Sequence, residues 1–535
     1  MKNNKRVNAI IVFIAFLGVL SSCSADRTRE DKVAAIINKV DSPFLIVNTS
    51  PKKLIEKSGA MDGALPFTQA MLVGFFIDES VTGVDYDTDI QLIVGKGQSF
   101  SPDFYGIFKL KNEEAFKTLL TEEANAEILE KDGFKYMIKE EDMYVMVWNE
   151  EFVIAANIAM DLSSLFGGGS GGNQGMKAVD KCIGLITAAD EGEVNEDYKK
   201  FLENGSDMAL TFMGKGFYNY MMEMSMGENE ELAKQKETLE GLNLEMFLNF
   251  EDGAINLQTL THFSDKLKEE LNFFQKSAIK SSFFAYGNSA NPIMTMGLNL
   301  DMSKALTYIE DQDGGKENLE RELEGFGLTI ADAKKGLSGE VYIVVDGVNM
   351  VQEVIDYGYG ETYTMNQPTP IFAMMAGISD ASVIAKLMAS ADSLGQGLVK
   401  KGDAFMLVKD NMLFTTNDSL WALKVMNGAT SQIADKGGVF KSTPIGMYID
   451  GANFGKIAGV DELQIVTALL KEVRLTGNLD EINLAMIFND KTKNALRILT
   501  EAIAPFTEEP ATEEDLVLEE ELEEAAEESL KDLED

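Results

Sequence analysis

The chain has 535 residues, of which 45% are hydrophobic, and its formal net charge is −41. This length allows roughly two to four domains, and the hydrophobic content is sufficient for folded cores. So strong a negative charge repels phosphate backbones and anionic headgroups, which excludes nucleic acid as a partner.

The first residues follow the pattern of a bacterial lipoprotein signal. Lys2, Lys5 and Arg6 precede an apolar run over 9–20, which is too short to span a bilayer comfortably. Leu20-Ser21-Ser22-Cys23 then resembles the lipobox, in which the cysteine is acylated and becomes the first residue of the mature chain. A cleaved secretory signal with an incidental cysteine is the alternative.

These features predict a signal peptide over 1–22, a lipidated Cys23 that carries acyl chains such as palmitate, and a tether over 23–39. Each buried methylene of an acyl chain contributes about 0.8 kcal/mol, and more than one chain makes the anchoring stable. No Asp follows the cysteine directly, so we expect attachment to the outer membrane of the cell envelope rather than retention at the inner one. The sequence does not decide whether the protein faces the periplasm or the cell surface.

Matched segments in the same order predict an internal duplication. The apolar run 91–95 matches 342–346, and the strand-to-helix segment 105–120 matches 372–387, with Asn112 or Ser379 as the expected helix N-cap. A meander with two acidic turns at the same spacing follows in each half. Its expected strands are 136–139, 143–148 and 152–156 in the first half, and 404–408, 412–416 and 420–423 in the second.

The duplication predicts two similar halves, 40–275 and 280–505. Because strands alternate with helices and consecutive strands form hairpins, each half is expected to be α+β, with antiparallel sheets and helices packed on one face. A glycine-rich segment over 167–172 is expected to be a flexible loop. The acidic tail 507–535 is expected to be disordered and to serve as a spacer or a contact arm.

Few residues are available for nucleophilic or metal chemistry. His262 is the single histidine, and Cys182 is the single cysteine other than Cys23, so imidazole-based zinc sites, thiolate sites and an intrachain disulfide in the mature chain are excluded. We interpret Cys182 as a buried apolar residue, with a reactive thiol as the alternative. His262 is interpreted as a partly exposed residue at the end of a strand. No metal or other cofactor is expected.

Two acidic segments only partly match a calcium-binding loop. In 85–89, carboxylates alternate, but Ile90 and Lys96 replace the required glycine and glutamate; in 311–322, Lys316 replaces the glycine. Both are interpreted as solvated turns. Trp148 and Trp421, one in each meander, are expected to be core residues.

Three tyrosines mark the best candidate for a binding surface. Tyr357, Tyr359 and Tyr363 lie in 357–368, a stretch that is expected to be an irregular loop. Exposed tyrosines on a glycine-rich loop suit recognition of carbohydrate or protein, although the rings could equally pack back onto the body.

The chain resembles an uncharacterised domain-of-unknown-function family of Bacteroidota lipoproteins. The resemblance rests on Cys23, an early strand over 42–47, the segment 53–59 and the duplicated order of elements. It implies a structural kinship without an established activity, so no functional residue is carried over.

These observations favour a lipid-anchored envelope protein that binds a protein or polysaccharide partner without catalysis. The alternative is an envelope hydrolase that acts through carboxylates, possibly on glycans. A third option, a carrier of a soluble ligand, would need a closed apolar cavity.

Overall fold

The structure is a computed structural model, which describes residues 27–65, 74, 78–97, 101–122, 125–139, 141, 143–158, 174–225, 230–274, 277–312, 314–325, 327–356, 362–441, 443–458 and 468–504. Helices and antiparallel strands follow one another throughout, which confirms the α+β class. The described residues divide into two compact units: the first takes those within 1–50 and 77–240, and the second takes those within 51–76 and 241–535.

The first unit contains eight strands and several helices in its described residues. In chain order they are α1 (Arg29–Lys39), β1 (Leu45–Thr49), α3 (Glu79–Thr82), β2 (Ile90–Gly95), β3 (Asp103–Phe108), α4 (Glu113–Glu122), β4 (Leu129–Lys131), β5 (Phe134–Lys139), β6 (Tyr144–Trp148), β7 (Val153–Asn157), α5 (Gln174–Glu191), α6 (Glu196–Leu202), β8 (Met208–Met213), α7 (Gly214–Met224), α8 (Glu230–Lys234) and α9 (Lys236–Glu240). Helix α2 (Pro51–Ser58) lies between β1 and α3 in the chain but belongs to the second unit.

The strands of the first unit form one antiparallel sheet in the order β8-β1-β2-β3-β7-β6-β5-β4. Trp148 on β6 is fully buried beside Phe116 of α4, with the ring centroids 5.5 Å apart. Its indole Nε1 donates to the Glu113 carboxylate at 3.0 Å. The prediction that Trp148 is a core residue is confirmed.

Helix α1 differs from the predicted tether over 23–39. Thr28 and Asp31 form a capping box that starts the helix, and residues 33–37 are buried. The apolar run Val33-Ala34-Ala35-Ile36-Ile37 gains more from burial in the first unit than it would as a solvated tether.

The second unit is larger. Its described elements are α2 (Pro51–Ser58), β9 (Leu242–Glu251), β10 (Ala254–Phe263), α10 (Asp265–Glu270), β11 (Met294–Asn299), α11 (Met302–Glu310), α12 (Gly315–Glu324), α13 (Ile330–Gly336), β12 (Leu337–Asp356), β13 (Thr362–Ile378), α14 (Ala381–Ala389), β14 (Asp392–Gly395), β15 (Leu398–Lys401), β16 (Ala404–Lys409), β17 (Met412–Thr416), α15 (Ser419–Asn427), β18 (Ile445–Asp450), α16 (Gly451–Ala458), β19 (Leu470–Gly477), β20 (Glu481–Phe488) and α17 (Ala495–Ile503).

Its sheet is also antiparallel, in the order β9-β10-β20-β19-β18-β11-β12-β13-β17-β16-β15-β14. Successive residues of a strand point to opposite faces. Tyr448 therefore packs with α15 on one face, while its neighbour Ile449 packs with α17 on the other. Trp421 of α15 is fully buried, which confirms that it is a core residue.

The last eight strands of this order repeat the connectivity of the first unit, because β18-β11-β12-β13-β17-β16-β15-β14 follows the same chain path as β8-β1-β2-β3-β7-β6-β5-β4. The expected pairing of the meanders was wrong by one strand: β17 (Met412–Thr416), and not the segment 420–423, holds the place of β7. Residues 420–423 lie in α15 instead of a strand, because the Asp418 side chain caps a helix there. The duplication with boundaries 40–275 and 280–505 stays a prediction, which this order supports.

Two further expectations about local structure are corrected. Helix α14 is capped by Asp380, whose carboxylate accepts from Ser382 N at 2.8 Å, and not by Ser379. Asn112 does cap α4. The stretch 357–368 is not a loop throughout, since residues 362–368 belong to β13 and pair with 350–356 of β12.

Candidate binding groove

A row of polar side chains lies on one face of four neighbouring strands in the second unit. Asn249 on β9 faces Asn256 on β10 across the ladder, and Gln258 on β10 faces Asn483 on β20. Thr476 on β19 is the next residue across from Asn483. The alternation of side chains along a strand thus brings four carboxamides and a hydroxyl to the same side of the sheet.

These residues line a groove of about 480 Å³. Its other lining residues are Phe247, Leu257, Val439, Arg474, Leu484 and Ala485. Ala485 lies between Asn256 and Arg474 in the cross-strand row, so a small side chain separates the amide end from the charged end. The groove lining therefore combines apolar residues with groups that both donate and accept hydrogen bonds.

Arg474 is the charged residue among those that line the groove, and a neighbouring carboxylate compensates its positive charge. Its guanidinium contacts the carboxylate of Glu472, whose side chain is almost fully buried. The Nε atom of Arg474 is buried and has no hydrogen-bond partner among the described residues. A buried donor without an acceptor is unfavourable, so this N–H is available to a ligand oxygen or a water molecule.

Two of the carboxamides are held in place by one carboxylate. Gln258 Nε2 donates to Glu481 Oε1 at 2.8 Å, and Asn483 Nδ2 donates to the same atom at 3.0 Å. The hydrogen bonds from Asn483 and Gln258 lower the pKa of Glu481, so this carboxylate stays ionised at neutral pH. Fixing the amide nitrogens in this way leaves the amide oxygens free to turn toward the groove as acceptors.

On the side of the groove nearest to β18, the lining residue Val439 is positioned with the help of a glycine, Gly446. A Cβ atom on Gly446 would lie 2.7 Å from Phe440 Cδ1, so a side chain there would displace the buried Phe440 ring. Val439, next to it, is fully buried and lines the groove. The absence of a side chain on Gly446 thus lets this segment approach β18 closely.

A smaller polar pocket of about 210 Å³ lies in the first unit. Arg29 Nη2 donates to the backbone oxygen of Asp89 at 2.7 Å, while Asn48 Nδ2 donates to the Asp89 carboxylate at 3.0 Å. Gln91 Nε2 donates to Asn48 Oδ1 at 2.8 Å. Burial lowers the pKa of Arg29, although the nearby carboxylates oppose that shift. Most of these polar groups satisfy one another, although Arg29 Nη1 is buried without a hydrogen-bond partner among the described residues.

The acidic segment 85–89 does not form a free cation site. Oxygens of Glu79, Asp85 and Asp87 lie within 4.8 Å of one another. Lys111 contacts Glu79 and lies 3.3 Å from Asp87, and Lys109 lies 3.4 Å from Asp85. Two ammonium groups thus already compensate the cluster. Asp85 is also buried, which differs from the expected solvated turn.

The candidate residues from the sequence have different outcomes. Cys23, Tyr357 and Tyr359 lie outside the described residues, as do the segment 167–172 and the acidic tail. Tyr363 lies in β13, where its backbone pairs with Ile355. The predicted binding surface of three tyrosines therefore lies largely outside the described residues, and it stays a prediction.

His262 and Cys182 are found as expected. His262, near the end of β10, is exposed, and its Nε2 lies 3.2 Å from Glu245 Oε2. Cys182 is fully buried on α5, and burial raises the pKa of its thiol to about 12. Both predictions are confirmed, and neither residue lines the groove.

The groove itself was not found from the sequence. Polar residues at alternate positions of 254–263 were the available signal, because Asn256 and Gln258 interrupt an apolar strand on one side. The signal was incomplete because β10 pairs with β20, which lies more than 200 residues further along the chain. Without that pairing, the amides of two distant strands cannot be assigned to one site.

Comparisons with known proteins add little. No family model matches the chain, and no curated protein matches it. Crystal form IV of TP0453 shows 11% identity over 42% of this chain and 79% of that chain, with a TM-score of 0.25. Crystal forms I and III show 9% identity over 45% of this chain and 85% and 86% of theirs, with TM-scores of 0.23 and 0.24. Likenesses this weak carry no argument.

Within the described residues, none of the helices is both long enough and apolar enough to cross a bilayer.

Proposed function

We propose that this chain is a lipid-anchored protein of the cell envelope that binds an uncharged oligosaccharide without catalysis. The observation that carries the proposal is the groove of the second unit, where carboxamides from three strands share one face. Sugar hydroxyls both donate and accept hydrogen bonds, and a carboxamide offers two donors and an acceptor to match them. A neutral ligand fits because Glu472 already compensates the guanidinium of Arg474.

The anchoring part of the proposal rests on the sequence. Cys23 at the end of the apolar run would carry the acyl chains and hold the folded units at the outer membrane. The net charge of −41 disfavours adsorption to anionic headgroups, so the lipid must supply the attachment. Glycans are abundant at that surface, which makes an oligosaccharide an accessible ligand there. We also propose that the chain is related to the uncharacterised family of Bacteroidota lipoproteins that its sequence resembles.

Binding is favoured over hydrolysis by the state of the carboxylates. In the described part of the chain, every carboxyl group with a shifted pKa has it lowered, as for Asp332 beside Lys386 and for Glu481. A glycoside hydrolase needs a carboxylic acid whose pKa is raised, so that it can donate a proton near neutral pH. In the groove, carboxamides face each other across neighbouring strands, where a glycoside hydrolase would need two carboxyl groups.

The test is binding of the full chain to an array of neutral and acidic oligosaccharides, followed by titration calorimetry with the best neutral one. Asn256→Ala should weaken binding about tenfold, since one good hydrogen bond to a ligand is worth about 1.4 kcal/mol. Asn243→Ala is the matched control, because Asn243 lies on β9 outside the groove lining. Recovered oligosaccharide should be intact. If neutral sugars do not bind, or if both variants bind alike, the proposal fails.

A further inference from the structure

The strands β12 and β13 continue far beyond their neighbours in the sheet. The last pair that β12 makes with β11 is Val345 with Met294, and the last pair of β13 with β17 is Ala373 with Thr416. Residues 347–356 and 362–371 pair only with each other in the described part of the chain. Ten residues per strand form a two-stranded arm roughly 33 Å long.

The arm is fixed firmly at its base. A β-bulge at Asp346 separates it from the sheet, and the Asp346 carboxylate accepts from Asn288 Nδ2 at 2.9 Å and from the Ser289 hydroxyl. On the other side, Asn417 Nδ2 donates to Pro370 O at 2.8 Å. The arm therefore leaves the sheet in a defined direction, although an isolated two-stranded ribbon is only marginally stable in water.

The two edges of the arm are not equivalent. Pro368 and Pro370 lie on β13, opposite Met350 and Val348. Proline has no N–H group, and it is tolerated in a ladder only where that group would point away from the paired strand. The contact between Asn417 and Pro370 O lies on that outer side. The outer edge of β13 is thus unsuited to accept another strand near its base.

The outer edge of β12 has its full set of backbone donors. Alternation along the ladder directs the N–H and C=O groups of residues 348, 350, 352, 354 and 356 away from β13. None of these residues is proline. An edge of this length, whose donors and acceptors pair with none of the described strands, is a template for strand addition.

We infer that this edge of β12 pairs with the same edge of a second copy of the chain, antiparallel about a two-fold axis through Gln352. Only this register engages all five outward residues, and it places neither Glu353 nor Asp356 opposite an acidic residue. Pro368 and Pro370 disfavour a further strand along the base of β13, which limits the assembly to two copies. A two-fold pairing needs one self-complementary edge, which is what the arm offers.

The distribution of charge favours contact between copies at this place. Two of the twenty residues of the arm are charged, Glu353 and Asp356, whereas charged residues make up 25% of the chain. Molecules with a net charge of −41 repel each other over most of their surface, so a nearly uncharged arm is where they can approach. This inference does not depend on the groove or on its ligand.

Site-directed crosslinking tests the pairing in membranes of cells that express the full chain. Gln352→Cys should give a dimer with a short bis-maleimide, because the two-fold axis places residue 352 about 5.5 Å from its copy. Asn366→Cys is the matched control, since Asn366 pairs with Gln352 inside the arm but lies on β13, away from the edge that is proposed to pair. Cys182 is buried, so the native sequence should give no dimer band.

Proline substitutions test which edge is used. Met350→Pro removes an outward donor from β12, and in the Gln352→Cys background it should reduce the dimer band at least fivefold. Thr364→Pro removes an outward donor from β13 and should leave the band unchanged. Circular dichroism and thermal melting of each variant report whether the fold is retained. Crosslinking from Asn366→Cys, an adduct of Gln352→Cys with another polypeptide, or dimers that survive Met350→Pro would each overturn the inference.

Discussion

The side chain of Asn157 takes the place of a backbone partner for Phe104 at the end of strand β3. Its side-chain Oδ1 accepts from Phe104 N at 2.8 Å, and its Nδ2 donates to Pro102 O at 3.1 Å. One carboxamide thus completes the hydrogen bonding of β3 where the paired part of β7 ends. Because an amide presents a donor and an acceptor side by side, it can imitate the edge of a strand.

The second unit repeats this contact. Asn417 accepts from Phe372 N at 3.0 Å and donates to Pro370 O. Two such motifs at matching places in the strand order support the predicted duplication more directly than matched apolar runs do. The duplication would predict equal energetic roles for the two asparagines.

Asn157→Ala and Asn417→Ala should each lower the free energy of unfolding by about 1 kcal/mol, because water can partly replace the lost bonds at a half-buried site. Asn157→Asp should keep the acceptor but place a charge beside Pro102 O, so it should not restore stability fully. Urea denaturation measures both. A loss above about 3 kcal/mol in one unit and none in the other would argue against equivalent motifs.

Cys23→Ser should abolish incorporation of labelled palmitate and leave the signal peptide uncleaved. The reason is that the thiol receives the first lipid and defines the cleavage site in a lipobox. Cys182→Ser is the control and should be labelled like the native chain, since Cys182 is buried. The readouts are fatty-acid labelling and the mass of the mature chain. Labelling that persists in Cys23→Ser would refute the anchor.

Cys182 should resist alkylation in the folded protein at pH 8. Its thiol is buried, and a pKa near 12 keeps it protonated. Iodoacetamide should modify it only in denaturant, with a rate that follows unfolding. Mass spectrometry of the intact chain provides the measurement. Modification of the native protein at the rate of a free thiol would show that α5 opens locally.

Asp332 should make the stability of the second unit sensitive to acid. Its hydrogen bond from Lys386 lowers its pKa to about 2, which is below the value of about 4 that an unfolded Asp has. A lowered pKa in the folded state stabilises the fold above pH 4, and this contribution is lost as the pH falls toward 2. The melting temperatures of the native chain and of Asp332→Asn should therefore differ at pH 6 and converge near pH 2.

Lys386→Met is the matched variant, because it removes the partner and keeps the carboxylate. It should reproduce the loss seen for Asp332→Asn at pH 6. If both variants melt like the native chain at every pH, the exposed pair contributes nothing measurable, as is common for surface ion pairs.

Removal of the acidic tail after Phe506 should leave the melting temperature nearly unchanged. The tail 507–535 lacks aromatic residues, and its closely spaced carboxylates repel each other, so the sequence predicts that it does not join a core. Differential scanning calorimetry of the truncated and full chains is the measurement. A drop of more than a few degrees would mean that the tail packs on the folded part.

The sequence was informative where the decisive contacts are local. Asn112 as a helix cap, the buried Trp148 and the strand-end position of His262 depend on residues close by in the chain, so periodicity and capping rules predict them. The predicted match between the two meanders was displaced by one strand. The reason is that 420–423 is apolar enough to suggest a strand, whereas Asp418, two residues earlier, caps a helix. The groove depends on the pairing of β10 with β20, which no local pattern encodes.

The position of α2 has a consequence for how the chain matures. Residues 51–58 follow β1 of the first unit, yet Leu54 packs with Ala495 and Ile498 of α17 in the second. The ribosome makes these partners more than 400 residues later, so α2 must wait for nearly the whole chain before it can dock. Such a long closure slows folding and keeps an early segment exposed. Until α17 is made, the segment 51–58 cannot dock and stays open to proteases.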